Sequence, residues 1–77
     1  MLRIDTKATG KKIYDKIMES DYSPQTIAIQ LNVSTSTPYY WFEGKVFPKL
    51  ATLVNLAHIL DCTVDDLLVT ETDESNE

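Results

Sequence analysis

The sequence predicts an all-α protein, a compact bundle of five short helices that contains a helix-turn-helix. Apolar residues recur at spacings of three and four, and residues typical of helix starts and ends separate these stretches. No alternating run of period two exceeds a few residues, so we expect no sheet. With 77 residues and 43% hydrophobic composition, the chain is sized for one domain with one core. We expect this domain to span residues 1–69, with its core at about 9–69.

The first helix is predicted from about Thr9 to Ser20. Ile13 and Ile17 form its apolar stripe, with Tyr14 and Met18 beside them. The opposite face carries basic side chains, namely Lys11, Lys12 and Lys16.

The second helix has the clearest start signal in the chain. Ser23 is suited to the N-cap, and Pro24 is suited to the first helical position because its missing N–H costs nothing there. Asn32 tolerates the left-handed conformation that ends helices. Its buried side is expected to comprise Ile27, Ala28 and Leu31.

A third helix is expected between Ser34 and Phe42, ended by Gly44, after Val33 enters the core. Pro38 leaves two alternatives: a helix distorted at its start, or one in which Thr37 is the N-cap and Pro38 the first residue. Four consecutive aromatic residues cannot all face inward. We expect Trp41 to pack in the core and at least one exposed ring among Tyr39, Tyr40 and Phe42.

The last two helices follow a loop that ends at Pro48. Thr63 and Asp66 form a capping-box-like pair at the start of a short fifth helix, which carries Leu67 and Leu68. A well-buried fourth helix is predicted from the apolar residues Leu50, Leu53, Val54, Leu56, Ala57 and Leu60.

Charge is distributed unevenly along the chain. Residues 1–60 hold all seven basic side chains and five acidic ones, whereas residues 61–77 hold seven acidic side chains and no basic one. The acidic balance therefore comes from the C-terminal end, and the rest can present a mildly basic face to phosphates. Residues 70–77 are polar and acidic and are expected to be a disordered tail.

Enzymatic, metal-binding and membrane functions have no support in these residues. Cys62 is the single cysteine and His58 the single histidine, so no zinc site and no nucleophile–base pair is expected. We predict no catalytic residues, no metal and no cofactor. Apolar runs are far below the roughly 20 residues that span a bilayer, and a signal-peptide core is missing, so a cytoplasmic location is expected.

Taken together, the motifs resemble the phage-repressor (lambda-repressor-like) type of helix-turn-helix over roughly residues 10–68. The matching pattern comprises Ser23, Ile27, Ala28, Leu31-Asn32-Val33-Ser34, Trp41-x-x-Gly44-Lys45-x-x-Pro48, Leu53-x-x-Leu56-Ala57-x-x-Leu60 and Val64-Asp65-Asp66-Leu67-Leu68. The resemblance implies a stand-alone, sequence-specific regulator of transcription that binds double-stranded DNA as a homodimer. Its third helix would enter the major groove.

The resemblance also implies DNA-contacting residues. Base-reading positions correspond to Thr35, Ser36 and Tyr40, and the exposed side of the third helix adds Thr37 and Tyr39. Phosphate contacts are predicted for Ser23, Gln25, Ser34, Lys45 and Lys49, helped by the free N–H groups at the start of the second helix.

Four features depart from the family pattern. Pro24 replaces a common phosphate-contacting Gln, Pro38 a buried Ile or Val, and Phe42 a common Glu. The fourth is the resulting run of four consecutive aromatic residues, 39–42. An alternative function therefore remains open. The same fold could serve as a protein-binding module, antitoxin-like or a regulatory subunit, that meets its partner through the aromatic surface of the third helix.

Overall fold

Five helices and two short strands make up the fold in a computed structural model, which describes residues 1–72. The predicted all-α five-helix bundle with a helix-turn-helix is confirmed, and the sheet is a minor addition. The elements in chain order are β1 (Leu2–Ile4), α1 (Thr6–Glu19), α2 (Pro24–Leu31), α3 (Thr37–Phe42), α4 (Leu50–Ile59), α5 (Val64–Leu67) and β2 (Thr70–Thr72).

Helix α1 begins three residues before its predicted start at Thr9. The cause is Asp5, whose carboxylate accepts a hydrogen bond from the Ala8 backbone N–H at 3.0 Å and so caps the helix. Ile13 and Ile17 are fully buried, as expected for the stripe. Tyr14 and Met18 instead expose nearly half of their surface.

The predicted start and end of α2 are confirmed. Ser23 and Thr26 cap it reciprocally: the Ser23 hydroxyl accepts from the Thr26 N–H at 3.2 Å, and the Ser23 N–H donates to the Thr26 hydroxyl at 2.8 Å. Asn32 ends the helix in the left-handed conformation with φ 59°.

The predicted capping box of α5 is also present. The Thr63 N–H donates to the Asp66 carboxylate at 3.0 Å, and the Asp66 N–H donates to the Thr63 hydroxyl at 3.2 Å. Hydrogen bonds from Thr63 to this exposed carboxylate lower the pKa of Asp66, and Lys16 and Lys12 on α1 add a smaller electrostatic contribution. Both lysines lie on the same side of α1 as Thr9, whose hydroxyl bonds the Val69 backbone just after α5, so this side of α1 faces α5.

All five helices contribute side chains to the core. Trp41 is 2% exposed, which confirms its predicted packing role. Leu31 and Leu60 are half-buried at the edge. The buried hydrophobic residues are Ile13, Ile17, Ile27, Ala28, Trp41, Leu53, Leu56, Ala57 and Leu67.

Helix α4 is less buried than its apolar sequence predicts. Leu50 is 73% exposed and Val54 is 49% exposed, whereas Leu53, Leu56 and Ala57 are buried. Leu50 and Val54 lie one turn apart on the side that points away from the bundle. The prediction that the whole set is buried is therefore wrong for these two residues.

A two-stranded antiparallel sheet joins the two ends of the described chain, contrary to the expectation of no sheet. Leu2 pairs with Thr72, Arg3 with Glu71 and Ile4 with Thr70. Residues 70–72, predicted to be disordered, thus form β2; the rest of the predicted tail, 73–77, lies outside the described residues. Three-residue strands carry too little alternation to be recognised in a sequence.

Candidate nucleic-acid interface

Helix α3 starts later than Ser34, because residues 34–36 form a turn. The Ser34 hydroxyl lies 3.0 Å from the Ser36 hydroxyl and accepts from the Ser36 N–H at 3.3 Å, and the Thr37 N–H donates to the Ser34 carbonyl at 2.9 Å. Ser36 therefore takes the N-cap position, Thr37 is the first helical residue and Pro38 the second. The alternative with Thr37 as N-cap is one residue off. Pro38 costs no helical hydrogen bond, since the first N–H groups of a helix have no partner.

One side of α3 is fixed in the core. Pro38 and Trp41 are buried, and α1 approaches closely at Gly10. A Cβ atom at Gly10 would overlap the Trp41 carbonyl oxygen, so this helix contact requires glycine. The same contact leaves Ser36 and Tyr40, one turn apart, on the exposed side, with Tyr40 46% exposed. Thr35 is also exposed, and Thr37 is half-buried.

Tyr39 connects α3 to α2. Its hydroxyl oxygen accepts a hydrogen bond from the Gln25 side-chain amide at 2.9 Å. Its ring packs edge-to-face on Phe42, with 5.6 Å between the ring centroids. Tyr39, predicted to read bases, and Gln25, predicted to contact phosphate, are thus brought together and hold each other in place.

The start of α2 retains one backbone donor. Pro24 has no N–H, and the Thr26 N–H is used by Ser23. Within residues 1–72 the Gln25 N–H has no capping partner and points out of the helix end. The Ser23 hydroxyl, expected to contact phosphate, is engaged with Thr26.

The two lysines predicted to contact phosphate follow α3. The Lys45 ammonium lies 3.3 Å from the Glu43 carboxylate, and both side chains are exposed. The Lys45 N–H donates to the Tyr40 carbonyl at 3.0 Å, which places it at the C-terminal end of α3. Lys49 is exposed before α4 and lines a cleft of about 250 Å³ together with Thr37.

Two contributors to this region were missed in the sequence. Thr26 completes the cap of α2, and the Ser-x-x-Thr spacing is a signal that could have identified it. Phe42 supports Tyr39 and also packs edge-to-face on Tyr14, with ring centroids 5.1 Å apart. No sequence pattern indicates this second contact, because it joins two different helices.

None of the helices within residues 1–72 is both long enough and apolar enough to cross a membrane.

Comparison with solved structures places this architecture among known folds. The restriction-modification controller protein C.AhdI from Aeromonas hydrophila aligns with a TM-score of 0.74 and 21% identity, over 82% of this chain and 91% of that one. The SOS-response transcriptional repressor LexA from Eubacterium rectale aligns with a TM-score of 0.75 and 23% identity, over 100% of this chain and 80% of that one. Apo-HppE aligns with a TM-score of 0.73 and 18% identity, over 83% of this chain but only 36% of that one.

No protein-family model and no curated protein sequence matches the chain. The structural neighbours establish its class of fold, which is the repressor-type helix-turn-helix, as the sequence resemblance predicted.

Proposed function

We propose that the chain is a transcriptional regulator that binds double-stranded DNA and reads the major groove with α3. The observation that carries this proposal is the division of α3 into two sides. Pro38 and Trp41 hold its inner side in the core, while Ser36 and Tyr40 project from the outer side of a rigidly positioned helix. Two neighbours of the same fold are named as a transcriptional repressor and a controller protein, which supports the proposal.

Base reading by this helix would rely on hydroxyl groups. Thr35, Ser36, Thr37 and Tyr40 can donate to and accept from base edges, and the threonine methyls can contact thymine. Neither Arg nor Lys occurs between Ser34 and Phe42, so the bidentate contact to guanine is missing. We therefore expect specificity to depend partly on the shape and deformability of the DNA. Tyr39 would orient Gln25 as well as approach the groove.

Phosphate binding would flank the reading helix on both sides. The outward Gln25 N–H at the start of α2 supplies a backbone donor, and Lys45 and Lys49 supply cations after α3. Glu43 lies close to Lys45, but an exposed ion pair of this kind contributes at most about 1 kcal/mol and can exchange for a phosphate. Seven of the twelve acidic residues lie beyond residue 60, after the segments that carry the proposed contacts.

We also propose that the chain binds its operator as a homodimer. Leu50 and Val54 give α4 an exposed apolar face, and burying such surface against a second copy is favourable. A two-fold dimer would present two α3 helices to half-sites about one helical turn of DNA apart.

A salt titration of duplex binding tests the proposal. With a mixed-sequence duplex, affinity should fall as salt rises, because bound lysines release counterions from the DNA. Lys45→Ala and Lys49→Ala should each weaken binding to all sequences and reduce the slope of log affinity against log salt by about one. Lys12→Ala is the matched control, because it removes the same charge from the side of α1 that faces α5. In this variant the slope of log affinity against log salt should be unchanged.

The same experiment has a specificity arm and a decisive negative result. Tyr40→Phe, assayed on duplexes selected with the original chain, should change the order of preference among them, because it removes one donor and acceptor at the groove. Sedimentation of the complex should give two chains per selected site. No detectable duplex binding at low salt, or equal losses in Lys12→Ala and Lys45→Ala, would contradict the proposal.

A further inference from the structure

An open groove between α1 and α3 is separate from the exposed side of α3 described above. It has a volume of about 470 Å³ and is lined by Asp5, Lys7, Ala8, Lys11, Tyr14 and Phe42. We call it the α1–α3 groove. It lies beside the aromatic side of α3, because Phe42 forms part of its wall.

The aromatic rings of Tyr14 and Phe42 form the apolar part of the lining of the α1–α3 groove. Tyr14 and Phe42 meet edge-to-face with an interplanar angle of 82°, and Tyr39 continues the cluster on the far side of Phe42 at 80°. Tyr14 is 43% exposed. Exposed aromatic surface of this kind, supported by a second ring, is typical of sites that receive an apolar side chain.

Two lysines also line the same groove. Lys7 and Lys11 lie one turn apart on α1, and both are exposed. Lys11 has only a long, exposed ion pair with Asp15 at 3.5 Å, and Lys7 has no ion pair within residues 1–72. Asp5 also lines the groove and keeps its negative charge while it accepts from the Ala8 N–H as the helix cap, so the lining carries two cations against one anion. The rim is therefore complementary to a negatively charged ligand.

We propose that the α1–α3 groove binds an acidic segment of a partner protein through one apolar anchor residue. The anchor side chain packs against the rings of Tyr14 and Phe42, and carboxylates beside it in the segment pair with Lys7 and Lys11. The anchor supplies most of the affinity, since buried aromatic contacts dominate interfaces, while the lysines set its orientation and charge preference. This function goes beyond duplex binding and uses a different face of α3.

The shape and charges of the groove favour a peptide over other occupants. An open groove covers only one side of a ligand, whereas small-molecule sites enclose 70–90% or more of a ligand. A single-stranded nucleic acid carries a phosphate at every nucleotide and would meet only two cations with Asp5 among them, whereas a peptide can place its few carboxylates beside the lysines alone. The chain's own residues 73–77 carry three acidic side chains but no apolar anchor.

Titration of the isotope-labelled full chain with a synthetic peptide tests the proposal. The probe carries one phenylalanine between two short runs of glutamate. Backbone amide shifts are expected to concentrate between Lys7 and Tyr14 and around Phe42. Replacing the phenylalanine of the probe with serine should weaken binding about tenfold, because the anchor is lost.

Charge reversal on α1 provides the matched comparison. The double variant Lys7→Glu, Lys11→Glu should bind the probe about tenfold more weakly. The double variant Lys12→Glu, Lys16→Glu has the same net charge but alters the side of α1 that faces α5, and it should bind as the original chain does. Circular dichroism of both variants verifies that they are folded.

Several outcomes would overturn the proposal. Equal losses in the two double variants would mean that net charge alone attracts the probe. Equal binding of the serine peptide, or of a peptide of residues 70–77, would mean that no apolar anchor residue contributes to binding in the groove. Oligothymidylate that shifts the same amides with comparable affinity would assign the groove to single-stranded nucleic acid. Amide shifts confined to residues 35–40, or no shifts at all, would show that the groove does not bind the acidic peptide.

Discussion

The contact between α1 and α3 and the β1–β2 ribbon are held together by different interactions. At the helix contact, Ile13, Ile17 and Trp41 are buried, and Gly10 lets the two backbones approach. In the ribbon all six residues are exposed, and the strands are joined by their backbone register and by an Arg3–Glu71 ion pair of 3.1 Å. The first region depends on side-chain packing and the second on backbone pairing, so substitutions in the two regions should have very different effects on stability.

Gly10→Ala should produce the largest effect. In an ordinary helix interior this substitution stabilises by about 0.5–1 kcal/mol. Here the added methyl group meets the Trp41 carbonyl, and neither backbone can move without separating α1 from α3. We expect the free energy of unfolding, measured by urea denaturation, to fall by about 3 kcal/mol.

The control for this prediction is Lys12→Ala, two residues further along α1, because the Lys12 side chain is exposed. It should change the free energy of unfolding by no more than about 0.5 kcal/mol. A stability gain in Gly10→Ala would show that α1 and α3 are not in close contact, and it would remove the basis for a rigidly held α3.

The contrast between these regions also explains what the sequence could predict. The caps of α2 and α5, the left-handed Asn32 and the core position of Trp41 follow from local rules on residue type and spacing, and all are confirmed. The register of the ribbon depends on residues nearly 70 positions apart. Its two strands contain no apolar alternation long enough to stand out, so neither was predicted.

Burial along α4 was overestimated for a related reason. A spacing of three and four shows which residues share a face, but not where neighbouring helices stop covering it. Leu50 is the first residue of α4 and is exposed, and Val54 lies one turn further along the same exposed side.

At the candidate DNA interface, the resemblance was enough to name the predicted contact residues. The hydrogen bond between Gln25 and Tyr39 could not be predicted in this way, since it joins two helices.

Thr9→Val should have the second largest effect and tests where the ribbon is anchored. The buried Thr9 hydroxyl accepts from the Val69 N–H at 2.9 Å and donates to the Val69 carbonyl at 3.3 Å. Valine has the same shape but leaves the Val69 N–H without a partner. The free energy of unfolding should fall by about 1–3 kcal/mol.

Thr6→Val is the control for Thr9→Val, because Thr6 is an exposed residue of the same helix. It should change stability by no more than about 0.5 kcal/mol. Hydrogen exchange should show faster exchange at the Val69 amide in Thr9→Val but not in Thr6→Val. Unchanged exchange at Val69 would mean that the Asp5 N–H, which donates to the Val69 carbonyl at 2.8 Å, is enough to hold the segment.

Arg3→Ala should have the smallest effect, although the ion pair it removes looks like the strongest link in the ribbon. The Arg3 and Glu71 side chains remain 64% and 48% exposed, so water and salt screen their attraction. We expect a change of no more than about 0.5 kcal/mol in the free energy of unfolding, and a coupling of similar size in a double-mutant cycle with Glu71→Ala. A loss of unfolding free energy as large as that of Thr9→Val would mean that the ribbon unfolds together with the bundle. The ion pair, rather than the buried Thr9 hydroxyl, would then attach the ribbon to it.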